Sequence, residues 1–172
     1  MIIAGIDYSI TSPCLCVNDN FYYFTKIKKY QMDIPRFKGF SYPDTEDDVE
    51  KFDIFANKFL EIILEYDVDA VFIEGYSYAS KGLVYNIGEN GGILKLRLKE
   101  NNIHYFTPTP SQIKKFATGK GNCSKEMMHN AFHNKTSFNL EKIGFSPNKN
   151  PSSDIVDSYF IQEYGYFVNQ KK

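Results

Sequence analysis

Two short apolar runs, each closed by an acid, constrain this chain more than any other feature. Ile2-Ile3-Ala4-Gly5-Ile6 ends at Asp7, and Ala70-Val71-Phe72-Ile73 ends at Glu74. Continuous apolar runs of this length predict strands buried on both faces, as in a sheet covered by helices. Toward the other end, Ser152-Ser153-Asp154-Ile155-Val156-Asp157 opens a helical stretch whose two acids lie three residues apart. Positions i and i+3 are neighbours on one helix face. Acids at the ends of core elements are costly unless something pairs with them. Divalent cations are the natural partner, because hard ions take oxygen ligands. Two such ions about 4 Å apart can activate a water and stabilise the leaving oxygen of an in-line displacement. Taken singly, each acid reads more simply as a turn or capping residue. The joint pattern carries the catalytic reading of Asp7, Glu74, Asp154 and Asp157.

The intervening sequence predicts a mixed sheet with helices on its faces. Residues 1–7, 13–18 and 21–27 read as three strands, the last two joined at Asn18-Asp19-Asn20, which makes an antiparallel meander. Residues 30–46, with two prolines and a glycine, read as an irregular connection. Phe52, Phe55, Phe59, Ile62, Ile63 and Tyr66 recur at helical spacing, with Thr45 as the expected cap. The Glu74 strand follows, then a loop over residues 75–82. A helix is expected across residues 93–98, after Gly88, Gly91 and Gly92, and then a strand at 103–106. Three further helices are expected: one from Pro110 to about 116, one capped by Ser124, and one capped by Ser152 or Ser153 running to about 164.

The chain has 172 residues, which suits a single domain spanning 1–172. No apolar stretch approaches the roughly 18–20 residues of a membrane span. Met1 leads straight into the first apolar run with no basic n-region, so a strand is expected there rather than a signal peptide. Cys14, Cys16 and Cys123 lack metal-site spacing and are odd in number, which argues against zinc and against a disulfide framework. Reduced core thiols and a cytoplasmic location follow. The net charge of -1 hides an asymmetry. Residues 1–85 carry 8 Lys/Arg against 14 Asp/Glu, and residues 86–172 carry 12 against 7. The basic half is the expected phosphate-contacting side.

With these residues in view, the chain resembles the RuvC family of Holliday-junction resolvases, which have an RNase H-like fold of the retroviral integrase superfamily. The resemblance runs from residue 1 to about 165. It is strongest at the opening Ile-Ile-Ala-Gly-Ile-Asp7, at Phe-Ile-Glu74, over residues 110–125, and at Ser-Asp154-Ile-Val-Asp157. It implies an α/β fold with a mixed five-stranded sheet, a three-stranded antiparallel meander plus parallel strands, flanked by helices. It also implies that Asp7, Glu74, Asp154 and Asp157 bind Mg2+, with Mn2+ as a substitute. A homodimer cutting opposed strands of a four-way DNA junction is expected, in the cytoplasm. Many bacterial members follow the first acid with Pro-Gly, where Tyr8-Ser9 stands here. Ser158 and Tyr159 replace common alanines, and residues 30–46 form an insertion. These departures point to a divergent, bacteriophage-type member acting in the host cytoplasm.

The same resemblance sets Lys114 and Lys125 at basic positions beside the site. Lys115 and Lys120 lie in the same acid-free stretch, where Gly119 and Gly121 allow close backbone approach. The family also places an aromatic residue in the loop after the second acid, where it helps open base pairs. Tyr76 and Tyr78 are both candidates, since either ring can stack on a base. His129 and His133 have a zinc-compatible spacing but no supporting motif, so they read as a polar helix face. Two other functions remain open: a YqgF-like RNA-processing nuclease with the same acids, and a junction-binding protein that does not cleave.

Overall fold

The computed structural model describes residues 1–75, 84–147 and 149–170. Its strands are β1 (Ile3–Asp7), β2 (Cys14–Val17), β3 (Asn20–Thr25), β4 (Asp33–Ile34), β5 (Phe37–Ser41), β6 (Ala70–Ile73) and β7 (His104–Phe106). They form one sheet in the order β4-β5-β3-β2-β1-β6-β7. The helices are α1 (Asp48–Glu65), α2 (Val84–Glu100), α3 (Pro110–Thr118), α4 (Lys125–Thr136) and α5 (Ser152–Asn169).

The expected meander is β1-β2-β3, antiparallel throughout. Its second turn is the two-residue connection Asn18-Asp19, both at positive φ, which suits the twist of a tight hairpin. Strands β6 and β7 run parallel to β1, with α2 as the crossover between them. One hydrophobic layer packs α1 and α2 on the sheet through Phe52, Phe55, Phe59, Ile63, Leu94 and Leu98. The opposite layer includes Ile113 of α3, Phe132 of α4, and Ile155, Tyr159 and Phe160 of α5.

The sheet has seven strands where five were expected, because the 30–46 insertion is ordered as β4 and β5. Strand β5 joins β3 in parallel, and Phe37 stacks on Phe21 with ring centroids 5.1 Å apart. The β4-β5 turn is Pro35-Arg36, with Arg36 at φ 73°. That position normally favours Gly or Asn. Arg36 is held there by donating its Nε–H to the Asp19 carbonyl at 3.0 Å.

Helix boundaries also differ from expectation. Asp47, not Thr45, caps α1 by accepting the Glu50 amide at 2.9 Å. Helix α2 begins at Val84 and takes Gly88, Gly91 and Gly92 into its body, although glycine costs roughly 1 kcal/mol per helical position relative to alanine. Neither Ser152 nor Ser153 caps α5; the Ser153 hydroxyl donates to Asn150 Oδ1 instead. The Ser124 cap on α4 is as expected, and Thr109 adds a capping box to α3. The three cysteines are buried and free.

Candidate active site

Strand alternation decides where the acids point. On β1, Ala4 and Ile6 pack into the α1/α2 layer, while Ile3 packs into the opposite one. A period of two then sends Gly5 and Asp7 to the α5 side. On β6, Val71 and Ile73 face α1/α2, while Ala70 and Phe72 face α5, so Glu74 continues the α5 side. The register pairs Gly5 with Phe72, and the Glu74 amide donates to the Ile6 carbonyl at 3.0 Å. Asp7 and Glu74 are therefore neighbours at the carboxyl ends of two parallel strands, where α/β sheets place their sites.

Helix α5 brings the other two acids. It packs directly on the β1 backbone, and Gly5 is what permits this. A Cβ at Gly5 would lie 2.2 Å from the Gln162 nitrogen and 2.3 Å from the Ser158 carbonyl oxygen. Gly165 makes the reciprocal fit against Ile3 and Phe72. With the helix seated this low, Asp154 in its first turn and Asp157 one turn on face Asp7 and Glu74. Asp154 is 5% exposed and Asp7 9%. Ser12, 3% exposed, donates its hydroxyl to Asp154 Oδ2 at 2.5 Å.

The four acids act on one another electrically. Burial, then Asp154, Glu74 and Asp157, push the Asp7 carboxyl well above the usual carboxylate range. Burial also raises Asp154, to about 6, against the Ser12 and Asp7 hydrogen bonds that lower it. Asp157 is pushed up to about 7 by burial and then by Glu74 and Asp154. Glu74 is raised by burial, opposed by Lys114. Lys114 and Lys125 both lower Asp157, and Lys125 also lowers Asp154. Burial is the leading cause at all four acids, and Lys114 and Lys125 offset it only in part. The donor set is all oxygen, which fits hard divalent ions. Among the described residues, no three His, Cys, Asp or Glu side chains stand already gathered around one ion position. Asp7 and Asp154 lie close enough for each to shift the other's carboxyl.

Known proteins give the fold. Among solved structures, Thermus thermophilus RuvC in complex with Holliday junction substrate matches with a TM-score of 0.67 at 18% identity, over 98% of this chain and 96% of that one. This chain has a RuvC-like fold. The yeast mitochondrial Holliday junction resolvase matches with a TM-score of 0.55 at 14% identity, over 99% of this chain and 84% of that one. By sequence, the crossover junction endodeoxyribonuclease RuvC of Thermosipho melanesiensis is 27% identical over 95 residues. That stretch is 55% of this chain and 59% of the relative, less than two thirds of its length. No family model matches.

Within this RuvC-like frame, the structure brings together Asp7, Glu74, Asp154, Asp157, Lys114 and Lys125. Lys115 is exposed on α3, and Lys120 is exposed in the loop that follows. Tyr76 and Tyr78 lie outside the described residues. His133 Nδ1 is 3.1 Å from the Phe138 carbonyl oxygen, and His129 is half-buried on the same helix, lowered by burial and by Lys125. Sequence reasoning missed Ser12, whose partner is 142 residues away. It also missed the role of Gly5, for which the only cue was a glycine inside an apolar strand.

Proposed function

We propose that this chain is a metal-dependent, structure-selective endodeoxyribonuclease that resolves four-way or branched DNA junctions. The observation that carries the reading is the convergence of Asp7, Glu74, Asp154 and Asp157 on one face, beneath the first turns of α5. Those four carboxylates would hold Mg2+, or Mn2+ in its place. When bound, the ions supply activation of a water and stabilisation of the leaving oxygen in phosphodiester hydrolysis. The chain's own groups do the rest. Asp7, the most central acid, is opposed by the three others and is the residue on which the site closes. Lys114 and Lys125 border the acids and hold phosphate oxygens next to the scissile bond. Lys115 and Lys120 are exposed on the same segment and extend the track for the DNA backbone. Tyr76 or Tyr78 would stack on a base opened at the crossover.

The active unit we propose is a homodimer built on α2. Tyr85, Gly88, Gly92 and Leu96 follow helical spacing along one face of this helix. Tyr85 is 86% exposed and Leu96 51%, and a Cβ at Gly88 or Gly92 would meet nothing within 4 Å. Such a face lets a second copy of the helix approach closely. No helix among the described residues is long and apolar enough to cross a membrane. The three free thiols fit a reducing cytoplasm, that of a host cell for a bacteriophage-type protein. The test is incubation of a synthetic four-way DNA junction with the protein and Mg2+ or Mn2+, beside linear duplex and structured RNA. Paired nicks near the crossover, absent on duplex and RNA, are expected. Preferential cleavage of RNA would overturn the assignment.

A further inference from the structure

We propose that Ser12 is a positioning residue that fixes the Asp154 carboxylate for metal binding, as the centre of a clamp joining the β1-β2 loop to the start of α5. The proposal rests on the metal-site reading above. The loop leaves Asp7 directly and returns into β2 at Cys14, so its shape is coupled to that buried acid. Three successive residues of the loop are tied down. Ile10 offers its carbonyl to the Tyr42 hydroxyl at 2.7 Å. Thr11 accepts from Asn150 Nδ2 at 3.2 Å, and Asn150 in turn accepts from the Ser153 hydroxyl at 2.9 Å. Ser12 donates its hydroxyl to Asp154 Oδ2 at 2.5 Å, while its amide donates to Ser9 Oγ at 3.1 Å. Both Ser12 and Asp154 are almost fully buried, so water is a poor substitute for this bond. The hydroxyl engages Oδ2 and holds the carboxylate plane. Without it, Asp154 can swing about its side-chain torsions, and the cluster loses one fixed wall. Outer partners that orient metal ligands commonly matter in this way.

The experiment is Mn2+ binding to the full chain without DNA, read by electron paramagnetic resonance of the free ion. The proteins compared are the wild type, Asp154→Asn, Ser12→Thr and Ser12→Val. Threonine keeps the hydroxyl, while valine has nearly the same shape without it, so any packing disturbance is shared by the pair. Ser12→Val is expected to bind Mn2+ about tenfold more weakly than Ser12→Thr, on the usual scale for lost outer-shell bonds. Equal affinity of the two variants would overturn the role of Ser12. Because no DNA is present, failure to cut junctions would not affect this result. A wild type that binds Mn2+ no better than Asp154→Asn would instead remove the metal site itself, and the Ser12 proposal with it.

Discussion

Asp7 holds the position from which the whole site is organised. It lies at the end of β1, buried, with Asp154, Glu74 and Asp157 all raising its carboxyl. Asp7→Asn keeps the size and removes the charge. It is expected to reduce junction cleavage to background while leaving the melting temperature at or above that of the metal-free wild type, checked by gel assay and thermal melt. The raised carboxyls also set a pH dependence. A carboxyl raised on folding leaves the folded state holding more protons than the unfolded chain, whose carboxyls titrate near 4. Stability of the metal-free protein then falls as pH rises from about 4 through the Asp154 and Asp157 values of about 6 and about 7. Melts in chelator should show a melting temperature lower at pH 8 than at pH 5.5, with a shallower slope in Asp157→Asn. An identical slope in that variant would contradict the raised carboxyl. Added Mg2+ should stabilise more at pH 8 than at pH 5.5, because binding needs the ionised form. These acids were legible in the sequence because each closes or opens a recognisable element. Ser12 was not, because its meaning depends on a contact between residues 142 positions apart.

Elements place the residues, and the decisive contact is α5 on β1. Gly5 and Gly165 let helix and strand approach until ordinary side chains would collide. Gly5→Ala should therefore force α5 away from the sheet, at a cost of about 3 kcal/mol, the upper part of the range for overpacking. Denaturant unfolding measures this, and cleavage should fall with it as Asp154 and Asp157 lift off Asp7. Helix α2 carries a different expectation. Leu96→Arg on its exposed face should leave the fold intact and shift sedimentation from dimer to monomer; an unchanged dimer would move the interface elsewhere. The sheet core was readable because apolar runs and alternation are local signals. Strands β4 and β5 were not, because Pro35, Gly39 and Pro43 read as breakers and β5 pairs in parallel with β3 only after the connection over residues 26–36. The start of α2 was hidden for a related reason. Three glycines in five residues read as a loop, yet the buried Leu94 and Leu98, with Asn90 donating to the Tyr8 carbonyl at 3.4 Å, anchor them as helix.

At the scale of the whole molecule, charge and fold point the same way. The C-terminal half carries the excess of lysine, and it supplies both α3-α4, with Lys114 and Lys125, and α5, with Asp154 and Asp157. The acidic half supplies most of the sheet and α1. A molecule so divided should bind DNA by one face, with affinity falling steeply as salt rises. Lys114→Ala should weaken junction binding and reduce the salt slope by about one counterion. Fold class was legible from the order of strands and helices. Substrate choice was not, because no local sequence signature sets which DNA the site accepts. The most direct measurement is mapping of cut positions on a synthetic four-way DNA junction with Mg2+ or Mn2+, using wild type and Asp7→Asn in parallel. Symmetric nicks on two opposed strands near the crossover, made by the wild type alone, are expected. Tight junction binding without cleavage in either metal, or cutting by Asp7→Asn at the wild-type rate, would contradict the proposed active site.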